Sequence, residues 1–225
     1  MIILIRLNIF IDDRGDFGCV KGSSDLYAVS FTFHESNDSI QTELDYLNRK
    51  LEDLDYNGMI HLAYLVAKRG DYSHFDFKKR KSIFWAIFYF SHRVKVKLKT
   101  VIIDKKYLNK KTQLNMALAR EISKVVNENR EYLESFDKIV IYYDNGQETL
   151  ATILDTIFAT NPKVERRIEF DHKHKRLFQV SDMLTVIDKL DYKRKNNIPF
   201  TKAEEYFFNG KDFRHIINLL NNKRL

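Results

Sequence analysis

The sequence predicts an α/β protein with a mixed sheet, an antiparallel meander followed by parallel strands, flanked by helices and closed by C-terminal helices. Three observations predict this class. Strand-like segments come first and lie close together. Helical segments then alternate with short apolar strands, the order that builds layered α/β domains. The 225 residues are 44% hydrophobic and 13% aromatic, with 7 Gly and 2 Pro, so the chain can fill a sizeable core and is neither disordered nor linker-rich.

Residues 2–11 are rich in Ile and Leu and run into Asp12-Asp13-Arg14-Gly15-Asp16, which reads as a buried strand ending in an acidic turn. Arg6 and Asn8 interrupt the apolar run, and no small-residue cleavage site follows, so a signal sequence is not expected. Residues 26–34, LYAVSFTFH, alternate large apolar with small or polar side chains and predict a second strand in hairpin-like pairing with the first. A helix is expected over 36–54, where apolar residues from Ile40 to Leu54 recur at helical spacing with a serine before them as cap. Residues 59–65 read as a third strand, 75–90 as a helix, and 94–103 as a strand with one wet face carrying Lys95, Lys97 and Lys99. A long amphipathic helix is expected over 112–133. A buried parallel strand follows at 138–143, a helix at 148–158 stopped by Asn161-Pro162, and a strand at 164–170. A helix at 177–190 and two short helices within 201–220 complete the chain. One domain spanning 1–225 is expected, with a core of about 3–190 and a helical extension of about 191–225.

The formal charge is +7, and it is uneven. Residues 78–111 hold twelve Lys or Arg against Asp104 alone, whereas residues 35–57 hold seven acids against Arg49 and Lys50. A concentrated basic region points to a polyanion such as nucleic acid, although a solvated lysine-rich surface has the same composition. Lys95, Lys97 and Lys99 either track a phosphate backbone or guard a sheet edge. The acidic helix and the terminal helices are candidates for a protein partner or a second copy of the chain. Cys19 alone allows no intramolecular disulfide, which fits a reducing, cytoplasmic setting. No run approaches the ~20 apolar residues that span a bilayer.

Three apolar strands end in an acid: Asp12 after IFI, Asp104 after VII, and Asp144 after IVIYY. Parallel neighbours would bring these ends to one sheet edge, where open α/β sheets bind ligands. Asp182 lies among Phe178, Val180, Met183 and Leu184 in a helix, a poor match to a solvated face. Clustered carboxylates repel unless a cation lies between them, and hard oxygens suit Mg²⁺ or Mn²⁺. Each acid taken alone reads more simply as a turn-former or cap, Asp104 most of all because Lys105 and Lys106 follow it. His61 reads as a general base or leaving-group acid, or more simply as a hydrogen-bonded core histidine. His172 and His174, two apart with no cysteine partner, read as surface residues rather than a zinc site. Phe84, Trp85, Phe88, Tyr89 and Phe90 read as core rather than a base-stacking platform.

The segments FIDDRGDFG (10–18), IHLAYLV (60–66), VIIDKKYLN (101–109), YYDNGQETLATIL (142–154) and RLFQVSDML (176–184) together resemble the DUF3800 family over roughly residues 3–190. That resemblance implies a ribonuclease-H-like fold of a kind widespread in bacteria and mobile elements. It implies Asp12 as the first-strand metal ligand, Asp144 as the acid of the later central strand and Asp182 as the acid of the Gln-x-Ala-Asp helix. Asp104 would match the acid of an intermediate strand, and His61 a histidine after the third strand. The family's Asp-Glu-Ser-Gly reads Asp12-Asp13-Arg14-Gly15 here, so Asp13 reaches less far than Glu. Arg14 is expected to pair with Asp12 or Asp13, or to hold a phosphate. Ser181 replaces the family's alanine.

The expected activity is therefore a metal-dependent nuclease or phosphodiesterase acting on DNA or RNA by a two-metal mechanism. Asp12, Asp144, Asp182 and His61 would be its catalytic residues. Asp12, Asp13, Asp104, Asp144 and Asp182 would ligate Mg²⁺ or Mn²⁺. The alternative is a non-catalytic nucleic-acid- or protein-binding module on a degenerate scaffold, in a bacterial defence or mobile-element system, and Arg14 is the residue that favours it.

Overall fold

A computed structural model of the chain describes residues 4–18, 24–106, 108–159, 161–168 and 172–225, the side chains of 172 and 173 excepted. Cys19 lies outside the described residues, as do positions 2–3 and 169–170 of two predicted strands. Five strands form one sheet in the order β3-β2-β1-β4-β5. They are β1 (Arg6–Arg14), β2 (Leu26–Glu35), β3 (Lys97–Asp104), β4 (Lys138–Tyr142) and β5 (Val164–Arg167). β2 runs antiparallel to both β1 and β3, and β4 runs parallel to both β1 and β5. An antiparallel meander followed by parallel strands is the predicted topology, and it makes this a ribonuclease-H-like α/β sheet.

Helices cover both faces. On one side lie α1 (Gln41–Glu52), α2 (Leu62–Ala67), α3 (Phe77–Arg93), α7 (His172–Lys195), α8 (Lys202–Phe207) and α9 (Gly210–Asn221). On the other lie α4 (Lys111–Glu128), α5 (Arg130–Glu134) and α6 (Glu148–Phe158). The pleat of β1 shows how one strand serves two cores. Leu7, Ile9 and Ile11 join the α4–α6 side, while Phe10 joins the α7 side and stacks on Tyr142 at 4.8 Å. By the same alternation Asp12 faces α7, and Asp13 faces the opposite layer.

α7 is buried from Arg176 to Asp188 and packs against β1 and β2. Its approach to the sheet is fixed by small polar groups rather than bulk. The Ser181 hydroxyl donates to the Phe10 carbonyl (2.9 Å) and contacts the Thr32 hydroxyl (2.8 Å), and the Ser30 hydroxyl donates to the Ser181 carbonyl (2.7 Å). Ser181, the departure from alanine, is thus bonded on both sides at a close helix–sheet contact.

Four readings of local structure are corrected. β1 runs through Arg14, because its ladder with β2 continues from Asp12–Ser30 to Arg14–Ala28, so Asp12 and Asp13 are strand residues rather than turn residues. Residues 59–65 are not a strand. The Met59 carbonyl accepts from the Tyr72 hydroxyl (2.9 Å), the His61 N–H donates to that same hydroxyl (3.0 Å), and the Leu62 N–H donates to Asp182, which starts α2. A short, mostly apolar run is ambiguous between helix and strand, and side-chain partners for its backbone decide it here. The long helix over 112–133 breaks at Asn129, whose side-chain amide takes the Val125 carbonyl (2.8 Å). α1 begins later than expected, after Ile40, with no side-chain cap.

The basic strand β3 is a sheet edge. Lys95 pairs with Asp38 (2.9 Å), and Lys97 lies over the Tyr132 ring at 3.8 Å. Beyond the edge, Leu98 bridges to the chain's last residues, donating to Lys223 O (2.8 Å) and accepting from Leu225 N–H (3.0 Å). This fits the edge-guarding reading of the lysine series. Among the described residues, no helix is long and apolar enough to cross a membrane.

Candidate active site

Asp12 sits near the C-terminal end of β1. Asp144 follows the end of β4, its parallel neighbour, and Asp182 projects from the buried stretch of α7. The sheet edge and the helix facing it therefore bring three acids together from positions 12, 144 and 182. Burial, and then the charges of Asp182, Asp13 and Asp144, push the Asp12 carboxyl well above the usual range. Its hydrogen bond from the Thr185 hydroxyl is long at 3.3 Å, and that hydroxyl also donates to the Asp182 carbonyl at 2.6 Å. Burial likewise raises the Asp182 carboxyl. The Leu62 N–H (2.7 Å) and the charges of His61 and Arg14 act against the rise, and Asp144 adds to it.

Asp13 is provided for differently. The Tyr27 hydroxyl donates to one of its oxygens (2.6 Å) and the Tyr143 hydroxyl to the other (2.7 Å). Burial still raises its carboxyl, with the two tyrosines opposing and Asp144 adding to the rise. Burial and the charge of Asp13 in turn push both phenols up, so both remain donors. The Tyr143 hydroxyl also accepts the Gln147 N–H (2.9 Å), which ties the carboxylate to the start of α6.

The loop after β4 is shaped by its own residues. Asn145 adopts a left-handed φ of 59°, and its side-chain oxygen accepts from Arg166 (2.9 Å). The Gly146 N–H donates to Asp144 (3.0 Å). A Cβ at Gly146 would lie 3.3 Å from an Asp144 oxygen and 4.0 Å from an Asp13 oxygen, so glycine keeps the space between these two carboxylates clear.

Asp104 is not part of this group. β3 runs in the same direction as β1, but β2 separates them, and Asp104 pairs with Leu26 whereas Asp12 pairs with Ser30. Two strand spacings and a four-residue stagger place them on the order of 15 Å apart. Its oxygens accept from the Lys106 N–H (2.9 Å) and the Tyr192 hydroxyl (3.3 Å). Lys105 is buried and holds the loop after β1 through Asp16 and the Gly18 carbonyl (2.7 Å).

His61 is exposed at the N-terminus of α2, not in the core, and its charge acts on Asp182. His174 is half-buried and stacked on Tyr142 at 4.6 Å rather than free on the surface. The His172 side chain lies outside the described residues. Among the described residues, Arg14 makes no ion pair with Asp12, Asp13 or any other acid.

The carboxylates act on one another through charge without closing on a common point: among the described residues, no three His, Cys, Asp or Glu side chains are arranged to hold a metal ion. The donor set itself is all carboxylate oxygen. That chemistry fits Mg²⁺ or Mn²⁺, and like charges hold apart the groups that a cation would draw together.

Sequence reasoning passed over Tyr27, Tyr143, Thr185 and Lys189. The last two had a signal. Asp182, Thr185 and Lys189 recur at helical spacing among apolar residues of α7, a polar stripe on a buried face.

Strand order and strand directions define a mixed α/β sheet of ribonuclease-H-like topology. No protein-family model and no curated protein matches the chain. A chain in the solved PCNA:RNase HII complex from Archaeoglobus fulgidus is similar in structure, at 12% identity over 94% of this chain and 87% of that one, with a TM-score of 0.45. A likeness of that degree bears on no residue of this site.

Proposed function

We propose that the protein is a metal-dependent phosphodiesterase of the nuclease class, consistent with its resemblance to the DUF3800 family. The observation that supports this best is the mutual charge repulsion of Asp12, Asp144 and Asp182 near the carboxyl edge of β1 and β4. Asp12 in particular has one weak hydrogen bond and three acidic neighbours. In this reading Asp12, Asp144 and Asp182 hold Mg²⁺ or Mn²⁺, with Asp13 beside them. When bound, the cations would make water nucleophilic and stabilise the charge that develops at phosphorus. The protein's own residues orient the acids: the Leu62 N–H and Thr185 on the α7 side, Tyr27 and Tyr143 on the other. His61, exposed at the start of α2 with its charge acting on Asp182, would exchange a proton with a leaving group in this reading. DNA or RNA is the substrate class.

The test is a melting scan with Mn²⁺ or EDTA, together with cutting of labelled DNA and RNA. Binding to the native state raises the melting temperature by mass action. A rise that disappears in Asp12→Ala, along with metal-dependent cutting, supports the reading; neither a rise nor cutting sinks it. The second reading, a binding module without catalysis, is favoured by the spread of the carboxylates and by Arg14 where the family has a serine. Binding of DNA or RNA without cutting would select it.

A further inference from the structure

A cavity of about 560 Å³ opens past the end of β1, lined by Arg14, Leu26, Val186, Lys189, Lys193 and Ile198 among others. It differs from the carboxylate group in sign. Arg14 follows Asp12 by two positions on β1, so both face α7, and its charge reaches Asp182. Lys189 lies one further pair of turns along α7 from Asp182.

The Lys189 ammonium is half-buried and donates to the Leu26 carbonyl (3.0 Å), with the Arg14 carbonyl at 3.4 Å and the Ser24 hydroxyl at 3.5 Å. Among the described residues, neither Lys189 nor Arg14 has a carboxylate within 4 Å. Burial, and then the charges of Arg14 and Lys193, bring the Lys189 ammonium down to about 8. Two carboxylates also line the cavity. Glu204 is already held by Lys193 (2.8 and 3.0 Å) and by the Thr201 N–H (2.7 Å), and Asp25 is exposed at the rim.

We infer that this cavity is a phosphate-binding subsite, in which Arg14 and Lys189 hold a phosphate and Val186 and Ile198 pack against the sugar or base attached to it. A guanidinium fork and a compact ammonium complement phosphate oxygens, and two like charges without a carboxylate partner gain a shared counter-ion. The volume suits a nucleotide-sized ligand. As a subsite of a phosphodiesterase, the cavity rests on the function proposed above; as a phosphate site, it does not.

The phosphate comes either from a strand end or from an internal diester. The experiment titrates the full chain in EDTA with inorganic phosphate, a nucleoside 5′-monophosphate, and one oligonucleotide with and without a 5′-phosphate, read by calorimetry and by melting temperature. The expected result is binding that weakens at least tenfold in both Lys189→Met and Arg14→Gln. A preference for the phosphorylated oligonucleotide assigns the site to a strand end, and equal binding assigns it to the backbone. No binding of any probe, or binding unchanged in both variants, overturns the inference. Because EDTA removes any divalent cation, a failed carboxylate site leaves these readings intact. A Mn²⁺ response without phosphate binding sinks this subsite alone.

Discussion

Asp12 and Asp13 are adjacent in the chain and lie on opposite faces of one sheet, and the two faces treat the same carboxylate group in contrasting ways. On the α4–α6 side, each oxygen of Asp13 receives a tyrosine hydroxyl at 2.6–2.7 Å. On the α7 side, Asp12 has one hydrogen bond at 3.3 Å and a second acid, Asp182, facing it. The difference teaches that a shared position in sequence does not imply a shared role. Asp13 has both oxygens bonded by the protein. Asp12 is left in repulsion, which is the state the proposed cation-binding role would relieve.

The largest expected effect is on activity. Asp12→Ala should remove the Mn²⁺-dependent melting shift and lower the cutting rate by roughly 10³-fold or more, as loss of a group that stabilises transition-state charge does. Asp13→Ala should keep a metal response, weakened but measurable. Equal loss in the two variants would erase the distinction between the faces and make both acids ligands of one kind.

Stability should reverse the order. Asp13→Ala leaves two buried phenols without their acceptor, at about 1–3 kcal/mol for each buried group left unsatisfied. For a chain of this size, each kcal/mol lowers the melting temperature by about 2–4 °C, so a drop of several degrees in EDTA is expected. A variant as stable as wild type would show that the tyrosines find other partners and that Asp13 is not structural.

The sheet was legible in the sequence because its signals are local: apolar runs of strand length, turn residues between them and helices with one apolar stripe. The acids of β1, β4 and α7 were legible for a different reason. An acid directly after an apolar strand such as IFI or IVIYY marks a strand end, and one buried among Phe178 and Met183 has no solvated face to explain it, although Asp144 itself is exposed. Asp104 had the same local signature and failed, because its fate depends on β2 lying between β3 and β1, a long-range pairing that no local pattern encodes. The tyrosine clamp was invisible for a related reason. Tyr27 and Tyr143 read as strand aromatics, and only their alternation onto the face of Asp13 turns their hydroxyls into donors. The strand predicted over 59–65 failed because its partners are side chains from distant elements, Tyr72 and Asp182 among them.

A third, smaller effect concerns the sign of Asp12's contribution without metal. A carboxyl whose folded value is raised above its unfolded one makes the folded state bind more protons, so stability falls as pH rises from the ordinary carboxylate value to the raised value and is level above it. Asp12→Ala should therefore be more stable than wild type in EDTA at neutral pH, by about 1 kcal/mol. That advantage should shrink as the pH is lowered through the same window. Melting scans of the two proteins from pH 8 to pH 4 read the difference directly. A wild type that is the more stable at neutral pH would mean that Asp12 already has a partner, and the contrast with Asp13 would fail.

The smallest effect separates the two tyrosines. Tyr27→Phe deletes one donor to Asp13 and nothing else among the described bonds of that hydroxyl, so about 1 kcal/mol is expected. Tyr143→Phe deletes its donor to Asp13 and also the acceptor of the Gln147 N–H, which leaves a backbone group at the start of α6 to find water. It should be the more destabilising of the pair. It should also loosen the loop that carries Asp144, and so weaken the Mn²⁺ response where Tyr27→Phe does not. Hydrogen exchange at residues 145–150 gives the independent readout: faster exchange in Tyr143→Phe alone links the Asp13 face to the Asp144 loop, and equal rates in both variants would confine each tyrosine to the carboxylate it touches.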